Sequence, residues 1–387
     1  MRRILWLIIC LILLGGLPAR SAFADETNEE LNLNARAAVL MDADSGRVLY
    51  GKDEETAYPM ASTTKIMTLI IALENGEPDR IVTASSYAAS MPEVSLGVRE
   101  GESYRMEDLY YALMLESFND AAVIIAEGIA GSVENFADLM NDKALQLGCT
   151  NTCFITPNGL DASNEKGIHS SSAKDMALIM RYAIDNQEFL KITRTESYSF
   201  SDIDGKRSFS LTNKNALLNM MEGAVSGKTG YTGNAGYCYV CAVEMGDKCF
   251  VAALLGCGWP PHKNYKWQDV QTLMTYGDAH YEYQTIRIRD YETDTPVHVD
   301  GGRTGYVIVQ PCNTELRILM ADGEKIDVKS VLPGQIEAPV AEGTNIGNIT
   351  LYLTGFSVGE GCFTVVESVE KEKNWPELKS IFHKKKE

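Results

Sequence analysis

The sequence predicts an α+β chain, in which an antiparallel sheet flanked by helices is followed by a small all-β domain. Three observations carry this. Up to about residue 282, strand-like stretches and tight turns are interspersed with helical runs. From about Tyr283, short β-rich segments alternate with turns at Asp300-Gly301-Gly302, Ala321-Asp322-Gly323 and Val358-Gly359-Glu360-Gly361. The length, 387 residues with 45% hydrophobic and 23% charged side chains, accommodates two domains with a sizeable core.

The elements follow in order. Arg2 and Arg3 precede an apolar run over residues 4–17, and Ala22-Phe23-Ala24 offers a small-residue cleavage site. Residues 1–24 therefore read as a secretory signal, too short for a membrane span. A polar leader over residues 25–35 follows. Residues 37–42 and 47–52 flank Asp44-Ser45-Gly46 as a hairpin. Pro59 introduces a helix carrying Ser62 and Lys65. Its apolar residues Ile66, Met67, Leu69, Ile70, Ile71 and Leu73 occupy nearly all faces, the mark of a buried helix, and Gly76 ends it. Residues 106–115 form a helix with Glu107 and Asp108 at its start. Ser117-Phe118-Asn119-Asp120 interrupts the pattern before a second helix over 121–129, so these residues sit on an inter-helix connection. A further helix spans 135–147 and closes at Gly148.

Thr156-Pro157-Asn158-Gly159-Leu160 is a turn. Ser172 starts a helix to about residue 184, with Asp175 at the capping-box position. Residues 198–211 alternate as a hairpin about Asp204-Gly205, 224–232 form a strand, 236–243 and 249–256 a second hairpin, and 269–276 a helix. Residues 36–282 thus form the first domain and 283–366 the second. The tail over 367–387 carries Trp375, Leu378, Ile381 and Phe382 beside lysines, and reads either as an interfacial helix or as a frayed terminus.

A formal net charge of −18 excludes general nucleic-acid binding. Nine cysteines include Cys10 in the signal; Cys149 and Cys153 are the local pair best placed to bond, Cys238 and Cys241 face opposite sides of a strand, and pairing stays open. No metal site is implied, because neither pair has accompanying ligands at zinc spacing.

The chemistry-bearing pattern is Ser62-Thr63-Thr64-Lys65. On a helix its serine and lysine share a face. A serine needs a base to become a nucleophile, and a buried lysine can be one because desolvation disfavours the ammonium. The spacing alone is weak, since Ser163/Lys166, Ser171/Lys174 and Ser368/Lys371 share it. Only Ser62 precedes the single Ser-x-Asn, Ser117-Phe118-Asn119, and the single Lys-Thr-Gly, Lys228-Thr229-Gly230. That ordered trio marks penicillin-binding proteins and related β-lactamases.

The chain resembles the low-molecular-mass penicillin-binding proteins that are serine-type D-Ala-D-Ala carboxypeptidases. The likeness extends through Tyr58-Pro59-Met60-Ala61, Pro157-Asn158-Gly159-Leu160, His169 to Met176, Tyr231-Thr232 and, in the second domain, Ile336-Glu337-Ala338-Pro339-Val340. It implies a serine β-lactamase/DD-peptidase-like domain, needing no cofactor, that removes the terminal D-alanine from peptidoglycan stem peptides and is acylated by β-lactams. It further implies Ser62 as nucleophile, Lys65 as base and Ser117 as proton relay in a Ser62–Lys65–Ser117–Lys228 network. Asn119 would hold the substrate amide through donor and acceptor together, and Lys228 and Thr229 the terminal carboxylate. Gly230 would permit close β-like approach, and Tyr231 would supply a backbone N–H to the oxyanion hole beside that of Ser62. Phe118 stands where glycine is common, Tyr231 where histidine is common, and Lys266 where a carboxylate-binding arginine is common. His169, Asp120 and Asp175 read as structural. A DD-endopeptidase or β-lactamase on the same fold, and a non-catalytic wall-binding protein, are the alternatives. No Glu-x-x-Leu-Asn-like element lies between Asn119 and Lys228, so slow deacylation of penicillin is expected. The leader implies an extracytoplasmic location, at the cell wall or the outer face of the cytoplasmic membrane, with peripheral contact through the tail.

Overall fold

The computed structural model describes residues 31–92 and 94–372. The expected signal with Cys10, most of the polar leader, and the tail from residue 373 lie outside the described residues.

The continuous apolar run over residues 37–41 finds partners on both faces. Ala37–Asp42 is wholly buried as the second strand of a five-stranded antiparallel sheet, ordered Val48–Lys52, Ala37–Asp42, Lys248–Leu255, Gly236–Met245, Ala224–Thr232. Val39, Met41, Val240, Ala242, Val251 and Ala253 join the large apolar core with the helices of the first domain. Their neighbours Leu40, Phe250 and Cys241 are equally buried on the other face, where Tyr265–His280 packs. Ala224–Thr232 is an edge strand, so one side of its backbone faces the helical layer's cleft rather than another strand.

The helix expected to begin at Pro59 divides in two. Ala61–Thr64 is a 3-10 turn, and the α-helix runs Lys65–Asn75. Thr63 causes the tight turn: its amide donates to Met60 O at 3.3 Å and its hydroxyl donates to the same oxygen at 2.6 Å. In 3-10 geometry residues three apart eclipse, which aligns Ser62 with Lys65 more directly than an α-helix would. Lys65 to Ala72 are all buried.

Several expected elements are longer or differently built. Met106–Tyr111 passes into a π-helical turn, Ala112–Glu116, ending at Ser117 in the left-handed conformation (φ 68°). Asn119–Ala130 and Val133–Gln146 follow. The helix starting at Ser172 has only half a capping box. Ser172 Oγ accepts from the Asp175 amide at 3.1 Å, but the Asp175 carboxylate turns away to Asn151 N and Thr152 Oγ1, each at 2.7 Å. The helix expected over 269–276 spans Tyr265–His280. Asp269, the expected start of the helix, lies inside it and accepts from Asn34 N at 3.0 Å and Ala35 N at 2.7 Å. A helix at Gln187–Arg194 and a hairpin of Ile81–Thr83 with Ser103–Arg105 were not legible in the pattern.

Tyr281–Arg287 continues directly from the last helix and pairs with Glu315–Ala321. Beyond it a six-stranded sheet encloses a separate apolar cluster including Val299, Val309, Ile349, Leu351 and Phe363. The glycine-rich Val358-Gly359-Glu360-Gly361 is not a turn. It lies inside the strand Phe356–Val365, where the missing side chains admit Leu316 and Ile288. Pairing continues past residue 366, with Val369 bonded to Val340.

The two regions are locked by Arg47. Its guanidinium donates to Leu319 O at 2.8 Å and pairs with Glu324, with side-chain exposures of 7% and 13%. Glu324 also accepts from Ala321 N at 2.8 Å. Removing one member of a buried pair strands the other charge. Arg47→Ala is therefore expected to lower unfolding free energy by about 3–5 kcal/mol, read by chemical denaturation. A change under about 0.5 kcal/mol, the level of ordinary surface substitutions, would contradict this account.

Candidate active site

The cleft forms where the 3-10 turn, the Ser117–Asn119 connection, the Pro157-Asn158-Gly159 turn and the edge strand Ala224–Thr232 meet. Lys65 is fully buried, and its Nζ lies 2.8 Å from Ser62 Oγ, 2.9 Å from Asn119 Oδ1 and 2.6 Å from Asn158 O. Burial, then the charge of Lys228, push its pKa well below the ordinary lysine value, against an opposing pull from Asp120. The carbonyl of Asn158 and the amide oxygen of Asn119 can only accept. A neutral amine gives both its hydrogens to them, which leaves its lone pair aimed at the Ser62 hydroxyl. The arrangement can therefore accept the serine proton without reorganising.

Lys228 is buried and brought by burial to a pKa of about 7. Its Nζ donates to Ser117 Oγ at 2.8 Å and to Thr229 O at 3.0 Å. The expected four-residue network thus resolves into two bonded groups, Ser62–Lys65–Asn119 and Ser117–Lys228. The charge of Lys228 acts on Lys65 across the gap between them. The left-handed Ser117 makes this division, because it turns its hydroxyl to the strand while Asn119, at the start of the next helix, faces Lys65.

Asn119 is also more occupied than expected. Its oxygen is taken by Lys65, and its NH2 donates to Pro92 O at 3.2 Å. One N–H and the second lone pair of the oxygen remain for a ligand. Phe118 packs partly buried against the core. Asp120 is structural, accepting from Leu96 N at 2.9 Å and Gly97 N at 2.8 Å.

Two glycines are required by close approach. Gly159 (φ 85°) packs its Cα against the Ala61 carbonyl, where a Cβ would overlap. Ala61 itself has φ 49°, an uncommon conformation for a residue with a side chain. At Gly230 a Cβ would stand 2.8 Å from Ser62 N and 3.1 Å from Met60 O. The bare glycine keeps the nucleophile's amide open to the cleft.

Strand alternation sends Lys228 to the nucleophile side and Thr229 and Tyr231 to the other face. Tyr231 is 44% exposed, with its ring 4.7 Å from that of Tyr237. Lys266 does not join the hydrogen-bonded groups. Its ammonium donates to Lys263 O and sits over the rings of Trp267 at 4.6 Å and Tyr237 at 5.0 Å. It touches the cleft strand's surroundings only through Tyr237, which opposes Tyr231. Burial lowers its pKa.

His169 is buried and far from acting as a base. Its Nδ1 accepts from Ile155 N at 2.9 Å, and its Nε2 meets Thr64 Oγ1 at 2.9 Å. Burial, with the Lys65 charge, lowers its pKa to about 4, so it stays neutral and ties the turn to the nucleophile helix. Sequence reasoning did not single out the Asn158 carbonyl, because a backbone acceptor leaves no trace in residue type; the Pro-Asn-Gly turn was the only signal.

A buried serine–lysine pair at the mouth of a helix, a second serine–lysine pair opposite it, and an antiparallel sheet flanked by helices define a serine peptidase of the DD-peptidase class. The chain belongs to the D-alanyl-D-alanine carboxypeptidase family, whose model matches residues 24–257, and it is a serine-type D-alanyl-D-alanine carboxypeptidase. It is 33% identical to the D-alanyl-D-alanine carboxypeptidase DacF of Bacillus subtilis, over 96% of this chain and 95% of that protein. The D-alanyl-D-alanine carboxypeptidase DacB2 of Mycobacterium tuberculosis is 35% identical over 63% of this chain and 82% of its own length. Among solved structures, penicillin-binding protein 5 of Haemophilus influenzae superposes with a TM-score of 0.69 at 27% identity, covering 88% of this chain and 99% of that one.

Proposed function

We propose that Ser62 attacks the carbonyl carbon of the penultimate D-alanine of a peptidoglycan stem peptide. Its hydroxyl proton passes to the Lys65 amine. The peptide C–N bond breaks as Ser117 relays that proton from the Lys65 ammonium to the departing D-alanine amine, which returns Lys65 to its neutral form. Water then hydrolyses the Ser62 ester with Lys65 again as base. The amides of Ser62 and Tyr231 stabilise the oxyanion. Asn119 donates its remaining N–H to the substrate backbone; Lys228 binds the terminal carboxylate from the nucleophile side, and Thr229, alternating to the other face, assists from the open edge of the strand. Lys266 contributes positive charge from behind Tyr237 rather than a direct fork, a weaker arrangement than a guanidinium would make. β-Lactams acylate the same serine. The chemistry belongs to residues 36–282, and residues 283–366 serve as a spacer or partner surface. The leader supports action outside the cytoplasm, with the tail as a peripheral membrane contact. Among the described residues no helix is long and apolar enough to cross a membrane.

The observation that carries the proposal is the fully buried Lys65 amine held 2.8 Å from Ser62 Oγ by two obligate acceptors. The test is release of free D-alanine from a peptide ending in D-Ala-D-Ala, paired with peptide mapping of a penicillin adduct. No release, or an adduct on a residue other than Ser62, overturns it. Gly230→Ala is expected to lower kcat/KM by about 10²–10³, the cost of losing one oxyanion donor, because its methyl crowds Ser62 N. Unchanged kcat/KM in a folded variant would remove the Ser62 amide from the oxyanion hole.

A further inference from the structure

The C-terminal sheet holds two cysteines that the carboxypeptidase reaction does not use. Cys312 directly follows the strand Tyr306–Pro311, and Cys362 lies in Phe356–Val365. These strands run antiparallel, with Val309 opposite Val365, Gln310 opposite Thr364 and Pro311 opposite Phe363. One further step of that register sets Cys312 opposite Cys362. The Cys312 amide donates to the Cys362 carbonyl at 2.9 Å, and the Cys362 amide donates to the Cys312 sulfur at 3.4 Å. Directly opposed residues of an antiparallel pair have Cα atoms about 4.5–5.5 Å apart, within the span a disulfide bridges. Both side chains are partly exposed, so an oxidant can reach them.

We propose that Cys312 and Cys362 are a disulfide site that staples the C-terminal β domain when the protein meets an oxidising compartment. The inference goes beyond the carboxypeptidase reading and does not depend on it.

Of the other described thiols, Cys153 and Cys249 are also partly exposed, but they stand opposite Ser170 and Glu244 and not another cysteine. Cys149, Cys238, Cys241 and Cys257 are buried. Cys149 points to Asp175 O at 3.6 Å, Cys238 to Pro59 O at 3.8 Å, and Cys257 to the Asp269 carboxylate at 3.2 Å. Burial also raises the pKa of each of these four. At Cys312 partial burial works the same way, but hydrogen bonds from the Thr314 hydroxyl and the Cys362 amide outweigh it and favour the thiolate.

With a low-molecular-mass disulfide such as oxidised glutathione, the balance is simple. The Cys312 thiolate attacks one glutathione sulfur, forming a mixed disulfide and expelling one glutathione thiolate. The Cys362 thiolate attacks the Cys312 sulfur and expels the second. The protein pair is oxidised by two electrons, glutathione disulfide is reduced to two thiols, and the two protein protons end on those thiols. The closed loop spans 50 positions, long enough for a cross-link to restrict the unfolded chain substantially.

The test incubates the purified protein with oxidised glutathione, blocks remaining thiols by alkylation, and maps a non-reducing digest. Expected are a Cys312–Cys362 cross-linked peptide, an intact mass lower by two hydrogen atoms before alkylation, and an apparent melting temperature roughly 5–10 °C above that of the reduced protein. In Cys312→Ser and Cys362→Ser the remaining cysteine is expected to carry one glutathione, with no cross-link and no shift. Stable glutathionylation of both wild-type cysteines, a cross-link between other cysteines, or unchanged alkylation of both overturns the site. An oxidised protein that melts no higher than the reduced one overturns the staple.

Discussion

Ser62→Ala is expected to abolish D-alanine release, lowering kcat by about 10⁶, the scale seen when the nucleophile of a serine peptidase is removed. The substitution deletes one oxygen and leaves the turn that presents it. That turn is held by Thr63 and by the packing of Gly159 on Ala61, and neither involves the Ser62 hydroxyl. A folded, inactive variant that also fails to retain penicillin is the expected result. Release at the wild-type rate would place the chemistry elsewhere. In the wild type the penicillin adduct should persist, because no glutamate of the class A β-lactamase kind is placed in the sequence to activate a deacylating water.

Lys65→Met should lower kcat/KM by about 10³–10⁴, at the upper end of general-base effects. The pH profile separates the two lysines. Lys65 must be neutral to take the serine proton, so kcat/KM rises with pH as it deprotonates, from a pKa well below the ordinary lysine value. Lys228 must be charged to bind a carboxylate. Its pKa of about 7 in the free enzyme makes kcat/KM fall above that pH as the ammonium is lost. An arginine in its place stays charged throughout. Lys228→Arg should therefore abolish the alkaline limb while lowering the plateau, because a fork replaces a point charge at Ser117. An alkaline limb that persists in Lys228→Arg would assign it to another group. The same lowered pKa works against stability at neutral pH. The unfolded chain holds the Lys228 proton up to about 10.5 and the folded chain only to about 7, so this group's contribution becomes more favourable as pH rises between those values.

Much of this protein was legible from residue order. The core sheet and its hairpins declared themselves through alternation and turns, and the strand Ala224–Thr232 has the bounds its pattern predicts. The trio of Ser62–Lys65, Ser117–Asn119 and Lys228–Gly230 was legible because each element is chemically distinctive and two occur once. Errors fell where residue type and environment disagree. The helix expected from Asp269 begins at Tyr265, and the Asp269 carboxylate serves distant amides that only the folded chain brings near; Asp175 is structural as expected, but its carboxylate holds Asn151 and Thr152 and does not close the capping box. Gly359 and Gly361 read as a turn, but they make room for Leu316 and Ile288.

By itself, then, the sequence determined the fold class, the family chemistry and most of the side chains that meet in the cleft, Lys266 excepted, since local periodicity and side-chain type are properties of the chain. Tertiary structure alone decided how those residues divide the work. The 3-10 turn that eclipses Ser62 and Lys65, the left-handed Ser117 whose hydroxyl oxygen accepts from Lys228, and the Asn158 carbonyl that fixes the Lys65 amine depend on backbone conformation and long-range contact. Burial, which lowers the pKa of both lysines, is likewise a property of packing, not of spacing along the chain.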